Sequence, residues 1–169
     1  NVFYNYLEKF WFGKPTWIEL AGEVAWSIPD AQNKQKSRFF NNSFGQGLLV
    51  TPMQMWVAFS ALVNGGNIVK PTIIKRIEYA DGTVKQANTR TKQSIFKEGT
   101  SELIKNALFE VVNGGQIKKF AIAWKTLAGK TWTPQIPFRG KYQNGVWRTN
   151  GSFAWIITRD NTKFVIIIQ

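Results

Sequence analysis

Apolar residues recur along this chain with two periods, one helical and one extended. Phe3, Leu7, Phe10 and Trp11 fall on one helical face, so residues 1–12 predict the end of a helix, stopped at Gly13-Lys14-Pro15. Residues 16–30 predict a loop with Gly22 and Pro29. Residues 31–42 are polar and basic, an exposed stretch anchored by Phe39 and Phe40, and 43–48 are punctuated by glycine. Thr51-Pro52 is a strong helix start, because Thr can cap free N–H groups and Pro fits the first helical position. Residues 53–63 are apolar almost all round and predict a buried helix, ended at Asn64-Gly65-Gly66.

Extended patterns follow. Residues 71–79 and 84–86 predict strands around a hairpin-type turn at Asp81-Gly82, and 87–94 a polar linker. Thr100 is expected to cap a second helix running to 112, with Leu103, Ile104, Ala107, Leu108, Val111 and Val112 on one face and Asn113-Gly114-Gly115 as its stop. Residues 120–123 and 126–133 read as extended, and 134–145 as a loop. Residues 152–158 and 163–168 form two apolar strands joined at Arg159-Asp160-Asn161. Neither an internal repeat nor a second domain is visible. Helices mixed with antiparallel hairpins imply an α+β fold.

Composition narrows the chemistry. With 169 residues, 44% of them hydrophobic and 19% charged, the chain can bury a sizeable core and is not intrinsically disordered. No apolar run reaches the roughly 18 residues needed to span a membrane. The start at Asn1 without a Met reads as a fragment lacking its front end, and no signal peptide is present. Cysteine and histidine are both absent. That excludes disulfides, Cys or His metal sites, Ser-His-Asp triads and Cys-His dyads. Hydrolysis or acyl transfer would need Ser or Thr with Lys, or carboxylates. The lack of Cys also fits an extracytoplasmic location.

The net charge of +12 suggests an anionic partner: nucleic acid, a membrane surface or an anionic wall polymer. From 111 to 150 there are seven basic residues (Lys118, Lys119, Lys125, Lys130, Arg139, Lys141, Arg148) and no acidic one. Their wide spacing favours a solvated basic surface.

Three segments carry candidate chemistry. They are Gly45-Gln46-Gly47 with Thr51-Pro52-Met53-Gln54-Met55, then Ala128-Gly129-Lys130-Thr131-Trp132-Thr133, then the hairpin from 151 to 169. A phosphate loop is a misreading of the second. The Walker pattern needs Gly five residues before Gly129, where Trp124 stands, and a helix after Thr131, where a strand and loop follow.

In this order the segments resemble the C-terminal part of the transpeptidase domain of class B penicillin-binding proteins. Phe10-Trp11-Phe12-Gly13 is similar to the family's "FGFG". Residues Thr16-Trp17-Ile18-Glu19-Leu20-Ala21-Gly22-Glu23 are similar to "TGIDLPGE". Gly45-Gln46-Gly47 before Thr51-Pro52 matches "GQG…TP", and Lys130-Thr131-Trp132-Thr133 resembles the Lys-Thr-Gly-Thr box. The resemblance covers essentially the whole chain, residues 1–169, as the C-terminal portion of a single domain. It implies an antiparallel sheet flanked by helices, with the 51–63 helix in the core and the last hairpin beside the 126–133 strand.

The resemblance also implies roles. Lys130 would shape the electrostatics of the site, Thr131 would bind a substrate carboxylate, and the Thr133 N–H would form half of an oxyanion hole. Residue 132 would line the same substrate-binding strand. Peptidoglycan stem peptides and β-lactams would be the ligands, with a glycosyltransferase and other cell-wall proteins as partners. No metal or organic cofactor is implied. The domain would lie outside the bacterial cytoplasmic membrane, held by an upstream anchor. The family's Ser-x-x-Lys and Ser-x-Asn boxes lie N-terminal to all of these segments. Ser94-Ile95-Phe96-Lys97 matches the first by letter but falls at the wrong place in the order, and no Ser-x-Asn occurs. The fragment alone is therefore expected to be inactive.

Tryptophan departs from the family pattern in one direction. Of eight, Trp11, Trp17, Trp26, Trp124, Trp132 and Trp155 stand where the family has Gly; Gly is plausible at Trp56 and Trp147 as well. An indole at 132 would fill the cleft or force the strand to move. Three accounts are open: UGA codons that the host reads as glycine, a decayed gene, or genuine Trp packed as core. Gly at 124 would complete the Walker letters, but the missing helix after Thr131 would still argue against a phosphate loop. Trp132 recovered from native protein would sink the first account. If Trp132 is genuine, a catalytically dead scaffold in a cell-wall complex is the alternative. A nucleic-acid module, whose motifs are absent, and a serine β-lactamase or β-lactam sensor are further readings.

Overall fold

The computed structural model describes residues 2–26, 28, 36–87, 94–115, 118, 126–139, 148–159 and 162–169. The helices are α1 (Val2–Lys9), α2 (Lys36–Ser43), α3 (Pro52–Val63) and α4 (Thr100–Gly114). The strands are β1 (Arg76–Glu78), β2 (Val84–Gln86), β3 (Thr126–Trp132), β4 (Ser152–Arg159) and β5 (Thr162–Ile168). An antiparallel hairpin, β1–β2, stands apart from a three-stranded antiparallel sheet in the order β3-β4-β5. The α+β expectation holds.

α3 forms because its first turn is capped in both directions. The Thr51 hydroxyl accepts from the Gln54 N–H at 3.1 Å, and the Gln54 side-chain oxygen accepts from the Thr51 N–H at 2.9 Å. Pro52 occupies the first helical position. Val57, Ala58, Phe59, Ala61 and Val63 are buried, as the all-round apolar pattern predicts. One side of α3 meets the sheet, where Phe59 and Val63 pack on Ala128, Ala154 and Ile156. Another side puts Val57 and Ala61 against Ile68 and Ile95, with Phe10, Trp11, Trp56 and Phe96 around them.

The last strand is tied to α3 at two points. The Trp56 indole N–H donates to the Val165 carbonyl at 3.1 Å, and Lys163 Nζ donates to the Val63 carbonyl at 2.6 Å. The second contact puts a cation on an unpaired carbonyl at the negative end of the helix. The Ser101 hydroxyl, at the start of α4, donates to the Leu62 carbonyl.

Several expectations are corrected. α2 lies in the stretch read as polar and exposed, for which no helix was predicted. It is held by Phe39, whose ring meets Phe3 at 5.9 Å, and by the buried Asn42, which donates to the Tyr4 hydroxyl at 3.1 Å. Phe40 is not an anchor, being 61% exposed. α4 has Gly99 (φ 78°) at its N-cap with no side-chain cap, so Thr100 is the first helical residue. Leu103 on that helix faces solvent. The 71–79 strand shrinks to Arg76–Glu78. The 134–145 loop begins with paired backbone: the Ile136 N–H donates to Arg148 and the Asn150 N–H to Pro134. Residues 120–123, Trp124 and Trp147 lie outside the described residues.

Three helices end in left-handed turns. After α2, the Gln46 N–H bonds the Asn41 carbonyl and the Gly45 N–H bonds the Asn42 carbonyl, with Gly45 at φ 89°. After α3, the Gly66 N–H bonds the Ala61 carbonyl, with Gly65 at φ 79°. After α1, the Phe12 N–H bonds the Leu7 carbonyl and the Trp11 N–H bonds the Glu8 carbonyl. The α1 and α2 patterns are the same Schellman closure, in which the residue after the cap is left-handed and usually glycine.

Candidate active site

The site begins with β3, an edge strand that pairs with β4 alone among the described strands. Its other edge presents backbone N–H and C=O groups that β4 does not use, a surface on which an extended peptide can lie. Gly129 is needed where β3 meets β4. A Cβ there would sit 2.5 Å from the Ala154 carbonyl oxygen and 2.9 Å from the Phe153 ring. This glycine precedes Lys130 directly, so close strand packing brings Lys130 and Thr131 to the edge in fixed register opposite Ala154 and Phe153.

Lys130, Thr131, Trp132 and Thr133 therefore come together, on the last residues of β3 and just beyond it. Lys130 is exposed, and its Nζ donates to the Thr131 carbonyl at 2.7 Å. Thr131 is half-buried and Thr133 exposed. Successive strand residues leave opposite faces, so Lys130 shares a face with Trp132 while Thr131 lies on the other, opposite Phe153. A cation and hydroxyls on a strand edge that no other described strand pairs with suit an anionic peptide terminus.

The indole of Trp132 does not displace the strand. It remains paired with Ser152, and its ring stacks on Phe59 of α3 with centroids 6.3 Å apart. Ser152 was not singled out from the sequence. It is 6% exposed, and its hydroxyl has no hydrogen-bond partner among the described residues. Only the strand register reveals that it lies across from residue 132.

The loop read as "TGIDLPGE"-like has a specific local cause. The Glu23 carboxylate accepts from the Thr16 N–H (2.6 Å), the Thr16 hydroxyl (2.5 Å) and the Trp17 N–H (2.9 Å), closing the loop on itself. Glu19 reaches out of the loop to the Thr72 hydroxyl and the Ile73 N–H, both at 3.2 Å, with Lys70 at 3.7 Å. Loss of hydration works to raise the Glu19 pKa, but backbone and Thr72 hydrogen bonds and the Lys70 charge together hold it below its ordinary value. The Gln54 side-chain amide donates to the Lys14 carbonyl at 2.9 Å, joining this region to α3.

Ser94 is not placed as a nucleophile. Its hydroxyl is turned to the carbonyls of Phe96 (3.0 Å) and Gly65 (3.4 Å). The described residues of the basic 111–150 stretch, Lys118, Lys130, Arg139 and Arg148, are all exposed, as a solvated basic surface requires.

Comparison with known proteins bears out the fold. The family model for the penicillin binding protein transpeptidase domain matches residues 1–169. Stage V sporulation protein D of Bacillus subtilis is 35% identical over 82% of this chain and 22% of its own length. Penicillin-binding protein PbpB of Mycobacterium tuberculosis is 32% identical over 99% of this chain and 26% of its own. The crystal structure of penicillin binding protein 3 from Mycobacterium tuberculosis aligns with a TM-score of 0.87 at 30% identity, over 98% of this chain and 39% of that one. The same protein has also been solved complexed with aztreonam, again at a TM-score of 0.87. This chain spans about a quarter of the length of such curated relatives. With a model match along its whole length and the fold and strand geometry to accompany it, the chain belongs to the penicillin binding protein transpeptidase domain family.

Proposed function

We propose that this chain is the C-terminal portion of a single transpeptidase domain in a serine-type D,D-transpeptidase. The whole protein cross-links peptidoglycan stem peptides through an acyl-serine intermediate whose Ser lies outside these 169 residues. The observation that carries this reading is the edge of β3 that no other described strand pairs with, with Lys130 and Thr131 on it and Thr133 just beyond. Lys130 supplies a positive charge at the site, and Thr131 donates to the terminal carboxylate of the stem peptide. The Thr133 N–H stabilises the oxyanion that forms when the serine attacks the peptide carbonyl. β-Lactams present the same carboxylate and a strained amide, so they acylate the same serine. The complexes of the related penicillin binding protein 3 with aztreonam and ampicillin support that ligand class.

Among the described residues no helix is long and apolar enough to cross a membrane. Placement outside the cytoplasmic membrane, with an anchor elsewhere in the protein and a glycosyltransferase as partner, belongs to the same proposal. A second reading, a non-catalytic scaffold, draws on one observation: the Trp132 indole lies on the Lys130 face of β3.

Fluorescent penicillin applied to the full-length protein separates the two. Covalent labelling is expected, with Thr131→Ala lowering the acylation rate by roughly 10–100-fold through loss of a hydrogen bond to charge. A full-length protein that is folded yet never labels leaves only the scaffold.

A further inference from the structure

Tryptophan is accommodated in this molecule in two opposite ways. Among the described residues three non-glycine positions have positive φ: Trp11 (63°), Trp17 (56°) and Arg139 (49°). Two of the three are tryptophan, although the left-handed conformation drives Cβ against the carbonyl and favours Gly, Asn or Asp. Trp11 occupies the same Schellman position after α1 that Gly45 occupies after α2, with the same pair of hydrogen bonds. Trp17 is left-handed because the Glu23 carboxylate holds both its N–H and that of Thr16, and its side chain is 53% exposed. The indoles of Trp11 and Trp17 meet edge to face at 5.7 Å, but that contact does not require the backbone they sit on.

Trp132 raises a different objection. Its partner across the ladder is Ser152, and directly opposed side chains share a face. The Ser152 hydroxyl is buried and has no hydrogen-bond partner among the described residues, although it lies directly opposite an indole. With glycine at 132 that hydroxyl opens to the strand edge. Trp56 is the contrary case. It lies inside α3, packs against the Val57 and Ile68 cluster and donates its indole N–H to Val165. Nothing in its surroundings asks for glycine.

We propose that the native protein carries glycine at positions 11, 17 and 132 and tryptophan at position 56, the first three through codons that its host decodes as glycine. Positions 11 and 17 stand on backbone geometry alone. Position 132 also rests on the transpeptidase reading, where a bare strand after Thr131 lets substrate approach.

The test is peptide mass spectrometry on the protein from its native source. Because Lys14 precedes Pro15, trypsin releases residues 10–34 as one peptide carrying positions 11 and 17. Residues 131–139 carry position 132, and residues 39–75 carry position 56. Fragment masses for Gly at 11, 17 and 132, with Trp at 56, are expected. Trp at any of the first three positions, or Gly at 56, overturns the proposal. A second readout uses the full-length protein expressed with Trp as written. Trp11→Gly with Trp17→Gly should raise Tm by a few degrees, while Trp56→Gly should lower it. A Tm that falls in the double variant overturns the backbone argument. Failure of penicillin labelling would sink the transpeptidase reading and leave these masses unchanged, so the two failures are distinguishable.

Discussion

The β3–β5 sheet has two apolar faces, and among the described residues the inner one is packed against α3 while β5 on the outer one is exposed. On the inner face Ala128, Ala154 and Ile156 are buried under Phe59 and Val63 of α3, with Val165 and Ile167 beside them. On the outer face Phe153 and Trp155 lie against each other at 4.2 Å, and Phe164, Ile166 and Ile168 on β5 are 50%, 43% and 57% exposed. β5 reads as an unbroken apolar run from Phe164 to Ile168, the signature of a strand intended to be covered on both sides. Hydrophobic character alone therefore does not say which residues hold this chain together. On β4 and β5 the side of the strand on which a residue falls does, and identical residue types on these neighbouring strands should differ in what they contribute.

The widest gap is expected between two isoleucines. Ile156 is 1% exposed and Ile166 43%. Ile156→Ala should cost about 2–5 kcal/mol by lost burial and a residual cavity. Ile166→Ala should cost under about 1 kcal/mol. Denaturant unfolding of both variants measures the difference. Equal costs would break the comparison and mean that the outer face is covered in the protein as measured.

Next in size is Gly129→Ala, which tests the ladder that joins the two faces. Its new Cβ would meet a backbone oxygen at 2.5 Å, an atom that cannot swing aside as a side chain can. A loss of about 1–3 kcal/mol is expected and, if the proposed function holds, slower penicillin labelling of the full-length protein, because Lys130 and Thr131 follow directly. Stability unchanged within a few tenths of a kcal/mol would show that β3 and β4 are less tightly joined here than the register implies.

What could be read in advance follows the same division. α3 was legible because its start, its apolar content and its stop all agree, and the Thr51-x-x-Gln54 spacing also carries the reciprocal cap. The terminal hairpin was legible from two apolar runs and a polar turn. α2 was not, because Lys36–Ser43 has no apolar period and is held by distant partners, Phe3 and Tyr4. Leu103 fitted the helical face by spacing yet points to solvent, since spacing does not say how wide the covered face is. At the site, Lys130, Thr131 and Thr133 were legible as an ordered motif. Ser152 was not, because only pairing brings it opposite residue 132, twenty residues away in sequence. Glu23 was quoted as a motif letter, while its role in holding Thr16 and Trp17 is a matter of three dimensions.

The smallest expected effect belongs to the covered side and depends on pH. Glu102 in the first turn of α4 pairs with Lys105 at 2.5 Å, and Lys163, the residue that reaches the end of α3, adds its charge from β5. The hydrogen bond and charge of Lys105 come first in holding the Glu102 pKa below its ordinary value of 4.5; some loss of hydration opposes them and Lys163 reinforces them. A carboxylate with a depressed folded pKa stabilises the fold above its unfolded value and loses that contribution as pH falls through the folded one. Glu102→Gln should therefore lower Tm slightly at about pH 7 and cease to matter once pH drops well below 4.5. High salt should shrink the difference at neutral pH, because Glu102 is exposed to solvent and Lys105 only half-buried. A Glu102→Gln penalty that persists in acid would mean that the side chain acts through packing or the helix cap. The charge link between α4 and the β5 lysine would then contribute nothing to the covered face.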